Sequence, residues 1–190
     1  RLSSSGSSKA GGTSNSPARG SAGGGKYCRA LSSLRPNSRN SPPTGAIPAA
    51  AKLAEEFGMR VGVHCHGGWM FGGSPDVLQH FLKLGGERIG LCIDTAWCMQ
   101  IGYWFGRPVQ WVKERFKGRV YGVHFKDFIF TRDAKWEDVT VGTGNLDLPG
   151  FVGALKETGF DGMAVIEFEG DAENPVPALR QCVERIRAVG

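Results

Sequence analysis

The sequence predicts an α/β fold in which helices cover a parallel sheet. From Gly45 onward, short apolar segments alternate with segments of helical pattern. Several helical segments have Pro in the first turn and Gly at the end, which mark where they start and stop. Short apolar strands separated by helices form right-handed βαβ units, whose sheet is buried on both faces.

Each element follows from a local pattern. The first helix has good helix formers and a Gly stop, the second has a Ser cap followed by Pro, and the fourth starts at Asp147 as its cap. The predicted helices span 47–58, 74–86, 107–118, 147–159 and 174–189. The predicted strands are MRVGVHCH (59–66), RIGLCID (88–94), RVYGVHF (119–125) and GMAVIEF (162–168). A doubly wound sheet and a (βα)8 barrel both fit this order.

Residues 1–45 are predicted to be a disordered Ser/Gly/Arg-rich segment. The net charge of +5 conceals a contrast, because the chain up to Pro48 carries seven basic and no acidic residues. Large apolar residues are too few there to offset the entropy of ordering. A basic arm for nucleic acid or an organelle transit peptide would explain the composition. A tail, linker or gene-model artefact is the favoured explanation, because the segment has no amphipathic run.

The cysteines and the hydropathy favour a protein of the cytoplasm. The five cysteines form no CxxC pair, and no secretory signal peptide precedes them, so reduced thiols are expected. No apolar run approaches the roughly 18 residues of a membrane span. The sequence therefore predicts a cytoplasmic protein with neither a membrane nor a nucleic acid as partner.

Each predicted strand closes on a residue that binds metals or moves protons. The strand ends carry His64 with His66, then Asp94, then His124, then Glu167. Because the carboxyl ends of parallel strands lie on one side, these groups are predicted to meet at one mouth. Nitrogen and oxygen ligands without thiolate suit a divalent cation such as Mn, Mg, Co or Zn.

Each of these residues also has a purely structural explanation. A single His at a strand end is more often a hydrogen-bonded surface residue, and Asp94 before Thr95 could cap a turn. Glu167 stands near Glu169 and could belong to a solvated acidic rim. The recurrence at four successive strand ends favours a site over these separate explanations.

Several stretches together resemble one family. GVHCHGGW, RIGLCIDTAW, GRVYGVHFKDF, VGTGNLDLPGFVGALKETGFDG and MAVIEFEGD occur in the order found in the second half of xylose-isomerase-like TIM barrels, the sugar phosphate isomerase/epimerase superfamily. The resemblance implies a partial (βα)8 TIM barrel, about the last four βα units, over residues 46–190. The 146 residues from Gly45 to Gly190 compare with about 250 in a complete barrel.

The resemblance implies one divalent metal held by the last four strands. Carried over by position, Asp94, His124 and Glu167 are ligands. The first strand offers His64 or His66, where epimerases of the family usually carry Glu. Their two-glutamate proton transfer is therefore in question, and His64 could serve as the second acid/base beside Glu167. A one-base isomerisation or a dehydration is equally open.

Three further residues are predicted to bind substrate. Lys126 points to the same face as His124 and could reach a hydroxyl, carboxylate or phosphate, or it could pair structurally with Asp127. Trp97 and Trp69 could form an apolar wall for a sugar ring, or simply pack. The GTGN segment (142–145) could cradle a phosphate or could be only a turn into the next helix.

The leading functional hypothesis is a metal-dependent isomerase or epimerase of a small sugar or polyol. Alternatives are an inosose-type dehydratase, a degenerate non-catalytic fragment and, less favoured, an apurinic endonuclease-like phosphodiesterase. The missing half-barrel is explained by a truncated or mis-spliced chain, by a homo-oligomer in which another copy completes the barrel, or by a fragment without its first half. Truncation of a longer enzyme is the favoured explanation.

Overall fold

The computed structural model describes residues 45–67, 71–133 and 135–190. The N-terminal segment predicted to be disordered lies almost entirely outside these residues, as does Trp69. The helices are α1 (Ala46–Glu56), α2 (Pro75–Gly85), α3 (Thr95–Gln100), α4 (Arg107–Gln110), α5 (Leu148–Glu157) and α6 (Val176–Val189). The strands are β1 (Val61–His64), β2 (Ile89–Asp94), β3 (Val120–Phe125), β4 (Asp127–Phe130), β5 (Trp136–Val139) and β6 (Met163–Ile166).

Four of the strands form one parallel sheet in the order β1-β2-β3-β6. All four lie within the segments that the sequence predicts as strands. Helices follow the strands and cover the outer face, so the α/β class and the partial barrel are confirmed. The register sets Asp94 beside His124, which aligns the carboxyl ends of the two central strands.

Three elements, one helix and the two strands of a hairpin, were not predicted from the sequence. Helix α3 starts at once after β2, because Asp94 itself accepts a hydrogen bond from the N–H of Trp97 and caps the helix. Strands β4 and β5 form an antiparallel hairpin within the segment expected to be a long loop. The predicted helix 107–118 is also shorter: α4 passes into a π-helical turn at Trp111–Arg115.

The hydrophobic core lies between the outer face of the sheet and the helices. Leu91, Ile93 and Val123 of the sheet are fully buried, together with Leu78 of α2 and Phe151 of α5. The transfer of such side chains out of water is the main favourable term in folding, roughly 1.5–3 kcal/mol for each. The helices therefore hold the sheet from outside and leave its inner face for other groups.

The inner face of the sheet is lined partly by small residues. A Cβ at Gly90 would overlap the ring of Tyr121, and one at Gly122 would lie 3.0 Å from the sulfur of Cys92. The sheet curves so strongly that Arg60, before β1, donates to Asp161, before β6, at 2.8 Å. The two outer strands thus approach each other, as in the wall of a barrel, and side chains at their ends can meet.

Candidate metal centre

Four side chains from the four strands converge at the carboxyl end of the sheet. His64 ends β1, Asp94 ends β2, His124 lies near the end of β3, and Glu167 follows β6 directly. One ligand atom from each lies within 4.8 Å of the others. We call these four residues the mouth cluster, and they include the Asp, the Glu and two of the three histidines predicted from the sequence.

Asp94 combines a structural bond with a free acceptor. Its Oδ1 accepts the N–H of Trp97 at 2.9 Å, whereas its Oδ2 has no hydrogen-bond partner among the described residues. The side chain is 0% exposed, and this burial raises the pKa of Asp94 to about 7. The capping role and the ligand role of Asp94 are therefore compatible, because each uses a different oxygen.

His64 faces Asp94 with its unpaired nitrogen. The His64 Nε2 lies 3.8 Å from the Asp94 Oδ2 and, like it, has no hydrogen-bond partner within the described chain. Burial, together with the nearby His124, lowers the pKa of His64 to about 4, so its ring is neutral at pH 7. A neutral imidazole nitrogen is the form that binds a metal ion.

His66 lies outside the mouth cluster. Its ring stacks on Trp97 with 4.3 Å between the centroids, and its Nδ1 lies 3.3 Å from the carbonyl oxygen of Gly67. Its centroid is 6.2 Å from that of His64. Of the two histidines that the sequence offers at this strand, the geometry favours His64 as the ligand.

His124 and Glu167 form an ion pair on the opposite side of the mouth. The His124 Nδ1 and the Glu167 Oε2 are 2.7 Å apart. Hydrogen bonds with Cys92 and with Glu167 raise the pKa of His124 to about 10. The pKa of Glu167 falls to about 2, because His124 and then Lys126 stabilise its carboxylate against the effect of burial. At pH 7 Glu167 is ionised.

Lys126 is a buried cation held by three carboxylates. Its Nζ lies 2.7 Å from Glu169, 2.9 Å from Asp138 and 3.1 Å from Glu167. Burial alone would lower the pKa of Lys126, but the hydrogen bonds to these carboxylates outweigh it and raise the pKa. Lys126 thus ties the β4–β5 hairpin to the mouth cluster, and its predicted contact with substrate stays a prediction.

Asp127 organises the loop before α5. Its carboxylate accepts the backbone N–H groups of Gly142, Gly144 and Leu146, each at 2.9 Å. The glycine N–H groups that the sequence offered as a phosphate cradle therefore already have a carboxylate as acceptor. Asp127 closes this loop rather than pairing with Lys126, whose Nζ is engaged elsewhere.

Sequence reasoning missed Asp138 and Glu169 as partners of Lys126. Glu169 could have been inferred, because it follows Glu167 by two residues and alternation places both on one side. Asp138 gave no local signal, because its position depends on the pairing of Phe128 with Asp138 across the unpredicted hairpin. Trp97, the other tryptophan predicted to line the site, lies at its edge against His66.

The mouth cluster fits a divalent cation. Two imidazoles and two carboxylates are ligands that Mn, Co and Zn accept. Buried polar atoms normally have hydrogen-bond partners, so the unpaired His64 Nε2 and Asp94 Oδ2, aimed at the same small volume, require an explanation. A bound cation would satisfy both. The described residues thus contain a possible metal site, and the identity of the metal is a matter for experiment.

The fold defines a class of protein, the (βα)8 barrel, represented here by four of its strands with a possible metal site at their carboxyl ends. Residues 46–189 match the family described as Xylose isomerase-like TIM barrel, and the chain belongs to this family. The resemblance read from the sequence motifs is thereby confirmed. A comparison with curated protein sequences finds no match.

Solved structures with the same fold include several sugar-processing proteins. A xylose isomerase domain protein from Planctomyces limnophilus is 21% identical with a TM-score of 0.59, over 81% of this chain and 54% of that one. A sugar phosphate isomerase/epimerase from Parabacteroides distasonis is 18% identical (TM-score 0.60; 85% and 59% covered). A probable 3-DHS dehydratase from Bacillus anthracis is 13% identical (TM-score 0.58; 75% and 55% covered).

The chain spans between half and three fifths of the length of these solved structures. At such identities the similarity shows the fold alone.

Among the described helices, none has the length and apolarity that crossing a membrane requires.

Proposed function

We propose that this protein is a divalent-metal-dependent isomerase or epimerase that moves a proton next to the carbonyl of a small sugar or sugar phosphate. The observation that carries the proposal is the pair of buried, unpaired ligand atoms of His64 and Asp94 within the four-residue mouth cluster. The family and the titles of its structural neighbours support the same chemistry. His64, Asp94, His124 and Glu167 would hold the cation.

The bound cation would supply polarisation of the substrate carbonyl, which makes the neighbouring C–H group more acidic. The groups of the chain then have separate tasks. Glu167 is ionised and partly exposed at the mouth, which makes it the carboxylate placed to accept a proton, and its basicity would increase on release of the contacts with His124 and Lys126 that lower its pKa. Lys126 holds one oxygen of Glu167 and His124 holds the other, which fixes the plane of the carboxylate. His64 is neutral and its Nε2 would bind the cation, so an acid/base role of this ring would have to use its other nitrogen.

A single glutamate in the mouth cluster favours reactions that need one base. An isomerisation moves one proton between adjacent carbons, so Glu167 alone would suffice. An epimerisation also needs an acid/base group on the opposite face of the substrate, and the lowered pKa of His64, the candidate for that role, disfavours proton donation at pH 7. A dehydration is the second candidate, since Glu167 could remove the proton and then deliver it to a neighbouring hydroxyl, which leaves as water.

Metal content tests the site. The purified protein is reconstituted with Mn²⁺, Co²⁺, Zn²⁺ or Mg²⁺, dialysed and subjected to elemental analysis, together with His124→Ala, Glu167→Ala and His80→Ala. His80 is an exposed histidine of α2 and serves as the control. We expect about one equivalent of metal in the unmutated protein and in the control, and little in the other two. An unmutated protein that retains no metal would refute the proposal.

The reaction is tested by NMR in D2O with a panel of ketoses, ketose phosphates and inososes. Isomerisation or epimerisation incorporates deuterium at the carbon next to the carbonyl without loss of the hydroxyl. Dehydration gives an unsaturated product. Retained metal with neither change, for the whole panel, would favour a binding protein that has kept the scaffold.

A further inference from the structure

A row of aromatic side chains leads away from the mouth cluster along the β4–β5 hairpin. We call it the aromatic shelf, and it consists of Trp97, Phe128, Trp136, Phe130, Phe105 and Tyr103. Trp97 lies 5.0 Å from Phe128 and 5.5 Å from Trp136, ring centroid to ring centroid. Phe128 is 5.8 Å from Phe130, which in turn lies 5.5 Å from Phe105.

The shelf is exposed where a ligand could reach it. Phe128 is buried and forms its base, whereas Trp136, Tyr103 and Phe105 are 39–43% exposed. Adjacent exposed aromatic residues are costly in water, and such patches usually mark a binding surface. Tyr103 has a backbone φ of +50°, unfavourable for a bulky residue, and its ring lies 5.4 Å from Phe130.

The shelf is continuous with the candidate metal centre. Trp97 stacks on His66, two residues after His64 of the mouth cluster. Trp136 stands on β5, two residues before Asp138, whose carboxylate binds the buried Lys126 that also holds Glu167. The hairpin, and the shelf with it, is therefore fixed relative to the mouth cluster.

The dimensions and chemistry of the shelf favour a carbohydrate with more than one ring. Because Phe128 is buried, the surface that a ligand can touch continues from Trp97 to Trp136, 5.5 Å away, and then to the exposed rings of Phe105 and Tyr103 beside Phe130. The faces of sugar rings carry C–H groups that pack on aromatic faces, and their hydroxyls need polar neighbours. The tip of the hairpin carries polar side chains, the exposed Thr131, Asp133 and Lys135, which pair with one another at the surface.

We propose that the aromatic shelf binds a second sugar ring, so that the preferred substrate is a glycoside of a keto sugar rather than a free monosaccharide. This substrate class rests on the proposed function, but binding to the shelf does not need the metal. The ring next to the cluster carries the carbonyl, and the second ring lies over Trp136 towards Phe130 and Phe105. Tight binding therefore depends on Trp136.

Saturation-transfer NMR with the full chain in EDTA tests the shelf separately from the reaction. The probes are lactulose, a ketose that carries a galactosyl ring, and fructose. We expect saturation of the galactosyl protons and binding of lactulose about threefold to tenfold tighter than fructose, the effect of one or two aromatic contacts. Equal binding of both sugars, or of neither, overturns the proposal.

Three variants locate the contact. Trp136→Ala should abolish the preference for lactulose, and Trp136→Phe should keep most of it because a ring remains. Trp104→Ala is the matched control: Trp104 is as exposed as Tyr103, but its ring lies against Arg107 at 5.2 Å. A preference for lactulose that survives Trp136→Ala refutes the proposal. Light scattering tests the alternative: if the unmutated protein is a dimer and Trp136→Ala is a monomer, the shelf is a contact between copies, and the proposal is also refuted.

Metal content, measured in parallel, separates the two proposals. A protein that binds metal but shows no preference for lactulose retains the proposed function and loses the shelf. A protein without metal that still prefers lactulose retains the shelf as a carbohydrate site and loses the proposed reaction.

Discussion

The two ends of the parallel sheet both carry charged residues, yet they differ in how these residues are paired. At the amino end, which we call the floor, an arginine stands directly before each of the first three strands: Arg60, Arg88 and Arg119. At the mouth, His64, Asp94, His124 and Glu167 stand at the other ends of the strands. From the sequence alone, both sets look like recurring functional groups.

The partners of these residues distinguish the two ends. Arg60 pairs with Asp161, Arg88 pairs with Glu55, and Arg119 donates to three backbone carbonyls. Among the described floor residues, one buried side-chain atom, the Nε of Arg119, has no hydrogen-bond partner. At the mouth, His64 Nε2 and Asp94 Oδ2 both lack a hydrogen-bond partner, and these two atoms face each other. The floor also contains a cavity of about 880 Å³. Unsatisfied ligand atoms, rather than cavity volume or recurrence, indicate the site.

The largest effect on metal affinity should come from Asp94→Asn. The amide oxygen can still accept the N–H of Trp97, but the charged oxygen that faces His64 is lost. We expect metal affinity to fall by at least about 100-fold, measured by calorimetric titration with Co²⁺, with an unchanged circular dichroism spectrum. Asp147→Asn is the control, because Asp147 caps α5 in the same way at an exposed position. Equal affinities in both variants would contradict the assignment.

Metal affinity should depend steeply on pH. Without metal, His124 carries a proton at pH 7 because its pKa is raised to about 10, and Asp94 is half protonated because its pKa is raised to about 7. Binding must release these protons, so affinity should increase with pH. From pH 6 to pH 8 we expect a rise of about 100-fold for the His124 proton alone. Titrations in buffers of different ionisation enthalpy count the released protons, and a flat profile would exclude His124 as a ligand.

Asp127→Ala should reduce stability rather than metal binding. Asp127 is as buried as Asp94, but its oxygens already accept three backbone N–H groups. The loss of these acceptors should lower the free energy of unfolding by about 3 kcal/mol, or roughly 1 kcal/mol for each bond. Urea denaturation measures it. Asp133→Ala, at the exposed hairpin tip, should leave the midpoint unchanged, and a similar loss in both variants would rule out a special role of the Asp127 loop.

The smallest effect on stability and on metal affinity should come from Arg88→Ala at the floor. The Arg88 and Glu55 side chains are solvent-exposed, and exposed ion pairs contribute little to stability. We expect the urea midpoint and the metal affinity to stay within experimental error of the unmutated protein. A clear loss of metal binding in this variant would show that the floor, too, serves the site.

The elements that the sequence predicted well are those with local signals. The four sheet strands and helices α1, α2, α5 and α6 have apolar runs, caps or Gly stops of their own, and each lies at the predicted place within a few residues. The hairpin was missed because β5, WEDV, has no strand pattern and is ordered by pairing with β4. Helix α3 was missed because its cap, Asp94, is also the last residue of a strand.

The sequence by itself determined the α/β class, the family and the residue types at the four strand ends, because hydrophobic periodicity, caps and short motifs are local properties. Only the tertiary structure decided that His64 rather than His66 joins Asp94, that Asp127 serves a loop, and that Lys126 binds three carboxylates. Those outcomes depend on strand register, sheet curvature and burial. Each arises from contacts between residues far apart in the chain, which no local pattern contains.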